Sequence, residues 1–217
     1  MSRFGRGLAD VAARVVSRVL FRVDAQGLDK IPMKGPYILI SNHVSALEIP
    51  PLRTLLRSRC AKTLSKAEAW DSKIMGWLLD QWESIPIKRG ESDMAALRAA
   101  LHVLKEGRIL GIMPEGTRSG DGKLGLGNPG ITVIALKSGC PIVPMAFWGV
   151  EKAKANIKRF RRTDFHFRAG DPFTPEPPSG KPTRDDRQRM ADEVMLHIAS
   201  LLPEEYHGVY QQSTQDL

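Results

Sequence analysis

The chain has 217 residues, of which 42% are hydrophobic and 26% are charged. These proportions exclude an intrinsically disordered chain, and the length favours one folded domain with a substantial core. The formal net charge of +8 indicates an anionic partner, such as nucleic acid, a membrane surface or a phosphorylated substrate. Two cysteines, Cys60 and Cys140, are too few for a disulfide framework and lack metal-ligand spacing, so a reducing, cytosolic setting is expected.

Residues 1–28 are predicted to form a basic amphipathic segment for membrane contact. Apolar residues recur at helical spacing between positions 8 and 20, and three arginines recur every four residues on another side: Arg14, Arg18 and Arg22. These arginines interrupt the apolar region that a secretory signal needs, and no apolar run of about 18 residues predicts a spanning helix. By itself, the pattern fits both a helix in a lipid interface and a helix packed on the protein with its basic face in solvent.

The rest of the chain alternates strand and helix patterns. Strands are predicted at 37–40, 60–64, 84–88, 108–113, 141–147 and 164–169, and helices at 46–57, 67–82, 92–106, 131–138 and 183–202. This alternation predicts a single α/β domain with a mixed, mostly parallel sheet flanked by helices, preceded by the N-terminal amphipathic helix. The catalytic domain is predicted to span residues 29–202. Residues 203–217 are predicted to be a loosely ordered tail.

Four short blocks carry the candidate chemistry: Asn42-His43 with Glu48, residues 85–89, residues 114–119, and residues 142–144. His43 follows a predicted strand at a strand-to-helix turn, where open α/β sheets place their sites. A histidine can remove a proton at neutral pH, and it does so best when a carboxylate holds its other ring nitrogen. Glu48 is the candidate carboxylate. Positions i and i+5 lie about 140° apart on an ideal helix, so the pair requires His43 in the loop and Glu48 at the helix start.

The second and third blocks are predicted to hold a phosphate. In the third block, exposed amides, two hydroxyls and a guanidinium are suited to an anion, contributed by Gly116, Thr117, Ser119 and Arg118. Glu115 cannot bind an anion, so it is predicted to orient an arginine or accept a hydrogen bond from an acceptor hydroxyl. Arg89, after another strand, would supply a second cation. Taken singly, each arginine is more typical of a solvated surface position.

The ordered set resembles the glycerolipid acyltransferase family, especially bacterial 1-acyl-sn-glycerol-3-phosphate acyltransferases. The resemblance runs from about residue 24 to 172 and rests on matches at His43, Arg89, Glu115, Gly116, Thr117, Arg118, Ser119 and Pro144. Lys66 lies where the family often has a lysine thought to assist phosphate binding. Glu48 replaces the family's aspartate, and Met113 replaces an aromatic residue.

The resemblance implies that a fatty acyl group passes from acyl-CoA or acyl-carrier protein to the hydroxyl of lysophosphatidic acid, giving phosphatidic acid. His43 would be the general base, and Arg89 and Arg118 would hold the phosphate. The family needs no metal or organic cofactor and is peripheral on the cytoplasmic face of the membrane. This favours lipid contact for the N-terminal helix. The basic run 158–162 would then face anionic lipid or the carrier protein.

Four alternatives remain open at the sequence level. The acceptor can be glycerol 3-phosphate or another lysolipid, and the chain can be a catalytically idle membrane-binding relative. A nucleic-acid-binding protein would fit the charge, but the chain lacks a recognition motif and only 6% of its residues are aromatic. A serine hydrolase would pair Ser41 or Ser45 with His43, but no Gly-x-Ser-x-Gly motif is present.

Overall fold

A computed structural model describes residues 3–59, 61–87, 93–177, 180 and 182–211. Its helices and strands, in chain order, are α1 (Arg3–Leu20), β1 (Phe21–Gln26), β2 (Tyr37–Ile40), α2 (Ile49–Leu56), β3 (Lys62–Lys66), α3 (Lys73–Gln81), β4 (Ile85–Ile87), α4 (Asp93–Lys105), β5 (Ile109–Ile112), α5 (Gly130–Ser138), β6 (Ile142–Trp148), α6 (Ala153–Lys158), β7 (Thr163–Ala169) and α7 (Arg184–Ala199). Short 3₁₀ turns lie between several of them.

The seven strands form one sheet in the order β1-β7-β6-β2-β5-β3-β4. Every neighbouring pair is parallel except β6 and β7, which are antiparallel. The prediction of a mixed, mostly parallel α/β sheet is therefore confirmed. The carboxyl ends of β2 to β6 meet at one edge of the sheet, together with the amino ends of β1 and β7. The predicted chemical blocks follow strands that end at this edge, where open α/β sheets bind ligands.

Helices cover both faces of the sheet. The central strand β2 shows this directly, because Ile38 and Ile40 pack in the core beneath α4, α5 and α7, whereas Tyr37 and Leu39 pack in the core on the α2 side. All four residues are at most 2% exposed. A strand that is buried on both faces has a continuous run of apolar residues, and this run predicted β2 at the residues where it is observed.

The N-terminal helix α1 packs on the protein through small residues and presents large apolar residues to the outside. Ala9 and Ala13 lie against Trp82 in a small core cluster, and the buried Asp10 pairs with Arg53 at 3.1 Å. Large apolar side chains on its outer face are 53–81% exposed: Phe4, Leu8, Val11, Val15 and Val19. The helix thus packs on the body and keeps an apolar stripe free. Among the described residues, no helix combines the length and apolar character needed to cross a membrane.

Two predicted segment boundaries are wrong. Residues 21–26, assigned to the membrane-contact segment, form the edge strand β1, which pairs in parallel with β7. The predicted loose tail is packed through residue 211. Tyr206 and Tyr210 are buried, and their hydroxyls donate to Glu151 and Asp192 at 2.8 and 2.9 Å. The two rings bury apolar area and their hydroxyls find acceptors, so this segment is held in place. Residues 212–217 lie outside the described residues.

Candidate active site

His43 and Glu48 meet at the carboxyl end of β2. His43 lies in the loop, and Glu48 lies in a 3₁₀ turn at Ala46–Glu48 that leads into α2. His43 Nδ1 is 2.5 Å from Glu48 Oε1, so the loop-and-helix-start arrangement required by the i, i+5 spacing is present. The Glu48 side chain is 1% exposed, whereas that of His43 is 20% exposed. The carboxylate is therefore enclosed, and the imidazole remains reachable from solvent.

The carboxylate of Glu48 is held by the backbone as well as by the histidine. Its Oε2 accepts hydrogen bonds from the backbone N–H groups of Val44 at 2.9 Å and Ser45 at 2.7 Å. Ser45 Oγ in turn accepts from Leu47 N at 3.2 Å, which completes a capping box. One glutamate therefore both closes the turn and contacts the imidazole ring.

Asn42 ties the histidine loop to the neighbouring strand β6, a role that the sequence analysis missed. Its Nδ2 donates to the Phe147 carbonyl at 2.8 Å, and its Oδ1 accepts from Phe147 N at 3.1 Å. Asn42 is 1% exposed. This pair of bonds imitates one rung of a strand ladder, and it holds the residue before His43 rigidly. The sequence signal for this role is the polar Asn42 between the apolar strand β2 and His43.

We expect Asn42→Ala to lower the free energy of unfolding by about 2–4 kcal/mol, because it leaves a buried N–H and a buried carbonyl of Phe147 without partners. Urea denaturation measures this directly. Asn42→Asp should be at least as destabilising, since a carboxylate cannot donate to the Phe147 carbonyl. The matched control is Asn128→Ala, because Asn128 is exposed and accepts one hydrogen bond, from Gly130 N. Equal stability losses at the two positions would contradict this role for Asn42.

Glu115 holds two loops together at the site. Its Oε1 accepts from His43 N at 2.9 Å and its Oε2 from Gly125 N at 3.0 Å. Ser119 N donates to the His43 carbonyl at 2.8 Å, so the third block is also bonded to the histidine loop through the main chain. Among the described residues, both carboxylate oxygens of Glu115 accept from backbone donors, and its predicted role toward an arginine or a substrate hydroxyl stays a prediction.

Burial raises the pKa of Glu115 above its ordinary value of 4.5, while the hydrogen bonds from Gly125 and His43 oppose this effect. As the pH rises through 4.5, the unfolded chain loses this proton before the folded protein does. Stability contributed by the protonated carboxyl is therefore present below 4.5 and is lost as the pH rises through the folded-state pKa. We therefore compare the free energy of unfolding of the wild type with that of Glu115→Gln. The difference, wild type minus variant, should fall as the pH rises from below 4.5 through the folded-state pKa of Glu115. Urea denaturation at stepped pH checks this, and a difference that rises with pH would contradict it.

The phosphate-binding candidates gather at the same edge of the sheet. Lys66 is exposed at the carboxyl end of β3, and Thr117 and Arg118 are exposed in the loop after β5. Within the described residues, the side chains of Lys66 and Arg118 make no hydrogen bond or ion pair, so both cations are free for a ligand. Gly116 adopts a left-handed φ of 66°, which favours glycine. Ser119 Oγ accepts from Gly122 N at 3.1 Å, and its hydroxyl hydrogen remains available.

Arg89, the second predicted phosphate cation, lies outside the described residues. It follows the last residue of β4, Ile87, by two positions. Because β4 pairs in parallel with β3, its carboxyl end lies at the same edge as Lys66.

A protein-family model described as Acyltransferase matches residues 22–148, which is more than half of the chain. The chain belongs to this acyltransferase family. The matched range contains the His43–Glu48 pair, the phosphate-binding candidates and Asn42 with its partner Phe147. The candidate active site therefore lies within the part of the chain that the family model matches.

Two curated relatives and one solved structure resemble this acyltransferase. It is 33% identical over 153 residues to the chloroplastic 1-acyl-sn-glycerol-3-phosphate acyltransferase BAT2 of Brassica napus, covering 69% of this chain and 44% of that protein. It is 32% identical over 135 residues to the lyso-ornithine lipid O-acyltransferase of Pseudomonas aeruginosa, covering 62% and 50%. The chain thus spans about half the length of these relatives or less.

The fold is also similar to the crystal structure of the 1-acyl-sn-glycerophosphate (LPA) acyltransferase PlsC from Thermotoga maritima. The TM-score is 0.63 at 23% identity, and the match covers 90% of this chain and 79% of that one. At this identity, the likeness bears on the fold.

Proposed function

We propose that this acyltransferase moves a fatty acyl group from an acyl thioester to the free hydroxyl of lysophosphatidic acid, producing phosphatidic acid. The observation that carries the proposal is the contact between His43 and the enclosed Glu48, at an edge where Lys66 and Arg118 have no partner in the described part of the chain. Membership of the family supports acyl transfer. The names of the Brassica and Thermotoga proteins support a lysophosphatidic acid acceptor.

In the proposed mechanism, His43 donates Nδ1–H to Glu48, which leaves Nε2 without a proton and ready to accept one. The acceptor hydroxyl gives its proton to Nε2 as its oxygen attacks the thioester carbonyl. The resulting tetrahedral oxyanion is stabilised by hydrogen-bond donors, for which backbone amides of the two bonded loops are the candidates. When the intermediate collapses, the carbon–sulfur bond breaks and His43 returns the proton to the departing thiolate. Glu48 stabilises the imidazolium between these steps.

The acceptor is held through its phosphate. Arg118 and Lys66 have no partner among the described residues and lie at the site's edge, and Arg89 is the further candidate from the second block. Thr117 and Ser119 hydroxyls would add donors to the same oxygens. Fixing the phosphate positions the hydroxyl against His43 Nε2 and raises its effective concentration there. The proposed reaction requires no metal or organic cofactor, and either acyl-CoA or acyl-carrier protein can serve as donor.

The lipid acceptor also accounts for the outer face of α1. Five of its exposed apolar residues, Phe4, Leu8, Val11, Val15 and Val19, follow one side of the helix, and the exposed Arg18 lies beside them. Such a helix binds an anionic lipid interface by burying its apolar face and keeping its cations at the headgroups. We therefore propose that the protein binds peripherally at the cytoplasmic face of the cell membrane, with α1 in contact with lipid.

A second acceptor class has one specific observation in its favour. The Pseudomonas relative, at 32% identity, is named for a lyso-ornithine lipid rather than a phosphate-bearing lysolipid. Lyso-ornithine lipid offers one carboxylate, beside an ammonium group, in place of a phosphate, so it should depend less on the cations Lys66 and Arg118. Substituting both with glutamine should therefore raise the KM for lysophosphatidic acid more than the KM for lyso-ornithine lipid.

The deciding experiment measures thiol release from palmitoyl-CoA with and without lysophosphatidic acid, with product identification by mass. Release that requires the acceptor and forms phosphatidic acid supports the proposal. Release without acceptor identifies a thioesterase. If neither acyl-CoA nor acyl-carrier protein releases thiol with any of the candidate acceptors, the result contradicts the proposal. That result would identify the protein as a catalytically idle membrane-binding relative.

A further inference from the structure

A second basic element lies outside the family-matched range. Residues 152–162 contain six cations and no carboxylate: Lys152, Lys154, Lys158, Arg159, Arg161 and Arg162. They form the short helix α6, which the sequence analysis did not predict, and the loop that leads into β7. Two large apolar residues accompany these cations. Ile157 is 37% exposed and Phe160 is 101% exposed.

Phe160 occupies a backbone position that glycine would fill more easily. Helix α6 ends in a Schellman motif, in which Arg161 N donates to the Asn156 carbonyl at 2.9 Å and Phe160 N donates to the Ile157 carbonyl at 3.0 Å. The residue in the left-handed position of this motif is Phe160, with φ of 54°. A bulky residue is unusual in this conformation, and its ring gains no burial here. The fold therefore gives no reason for a phenyl ring at the tip.

The loop adjoins the carboxyl end of helix α1, for which lipid contact is proposed above. Arg162 Nε donates to the Phe21 carbonyl at 3.2 Å, immediately after the end of α1. Arg22 forms two hydrogen bonds with Asp164, at 2.5 and 3.0 Å. An open cleft of about 450 Å³ lies between these groups, lined also by Asn156 and Arg161. Three guanidinium groups and one carboxylate give this cleft a net positive charge.

We propose that residues 152–162 form a second membrane-contact element, with Phe160 inserted among lipid chains and the surrounding cations at anionic headgroups. The inference deepens the proposed lipid contact of the enzyme. An anionic bilayer fits better than an acidic carrier protein for two reasons. A fully exposed phenyl ring is stabilised by transfer into the apolar interior of a bilayer. A surface that bound only an acidic protein would need the cations and not the ring. The loop is also bonded to Phe21, the residue that follows α1 and lies two positions after Val19, the last member of the apolar stripe, so the two elements can meet one surface.

This placement orients the catalytic edge. The loop enters β7 at its amino end, and that end lies at the same sheet edge as the carboxyl end of β2, from which His43 extends. Two contacts, along α1 and at Phe160, would turn this edge toward the bilayer. A lysolipid could then reach His43 from the headgroup region.

Vesicle flotation with the full chain tests the proposal, using phosphatidylcholine vesicles with and without phosphatidylglycerol. Phe160→Gly should weaken binding to the anionic vesicles by roughly ten- to a hundredfold, from the loss of one buried phenyl ring. Because glycine suits the left-handed position, this variant should melt at or above the wild-type temperature. Arg159→Gln with Arg161→Gln should weaken binding by about fivefold per charge. The matched control, Arg98→Gln with Lys105→Gln, removes the same charge from α4 on the opposite face of the sheet and should leave binding unchanged.

Unchanged vesicle binding in both Phe160→Gly and the Arg159/Arg161 double variant would overturn the inference. If those variants instead lose turnover with acyl-carrier protein and keep it with acyl-CoA, the surface belongs to the carrier protein, and the inference is also wrong. Turnover of short-chain, monomeric acyl-CoA and lysophosphatidic acid should be equal in Phe160→Gly and wild type. A wild-type protein inactive on those soluble substrates would count against the proposed function, while the flotation result would still decide the membrane contact.

Discussion

Replacing His43 with alanine is expected to lower kcat/KM for acyl transfer by about 10²–10⁴-fold, the range that a positioned general base contributes. The reaction would lose both the group that accepts the hydroxyl proton and the group that returns it to the thiolate. Thiol release and phosphatidic acid formation should fall together, because one proton transfer serves both products. The measurement is steady-state thiol release from palmitoyl-CoA at varied lysophosphatidic acid.

The fold should tolerate this substitution. The backbone N–H of His43 bonds to Glu115 and its carbonyl accepts from Ser119, and both bonds are independent of the imidazole. Circular dichroism and urea denaturation of His43→Ala separate lost chemistry from lost folding. A folded variant that retains more than about a tenth of wild-type kcat/KM would be incompatible with His43 as the general base.

Glu48→Gln should be nearly as damaging, although it changes one atom. Its side-chain oxygen can keep the hydrogen bonds from Val44 N and Ser45 N, which leaves the amide NH₂ facing His43 Nδ1. An NH₂ group donates, so Nδ1 must accept and the ring proton moves to Nε2. The nitrogen that should accept the substrate proton is then blocked. In a serine protease triad, the equivalent carboxamide lowers kcat about 10⁴-fold, and we expect a loss of about 10²–10⁴-fold here.

Glu48→Asp is the matched variant, because it keeps the carboxylate and shortens its reach by one methylene. It should retain more activity than Glu48→Gln even if the shorter side chain weakens the capping box with Ser45. Comparing kcat for Glu48→Gln and Glu48→Asp separates the effect of losing the carboxylate from the effect of shortening the side chain. Equal activity of Glu48→Gln and wild type would rule out the proposed orienting role.

The sequence predicted most of the sheet because its inner strands are strongly apolar. Strand β2 is buried at all four positions and β6 at six of seven, so each reads as an uninterrupted run. Strand β1 was missed because it is an edge strand with one buried residue, Phe21, and several exposed ones. Its pairing partner, β7, lies about 140 residues further along the chain. Helix α6 was missed because six residues carry too little periodicity to detect.

The same distinction applies to the site. Glu48 could be predicted as the partner of His43 because the two are five residues apart and the turn between them has a local capping signature. Glu115 was recognised in its block, but its contact with His43 N spans 72 positions and could not be inferred. The Asn42–Phe147 bonds span 105 positions.

The sequence by itself therefore determined the α/β alternation, the histidine–carboxylate pair and the basic, apolar character of α1, since short-range spacing and side-chain chemistry specify these. Only the tertiary structure decided which face of α1 stays exposed, where the carboxylate of Glu115 points, and that the loop of Phe160 adjoins the end of α1. Each of these depends on backbone donors or packing surfaces contributed by distant segments. Their positions exist only once the sheet has formed.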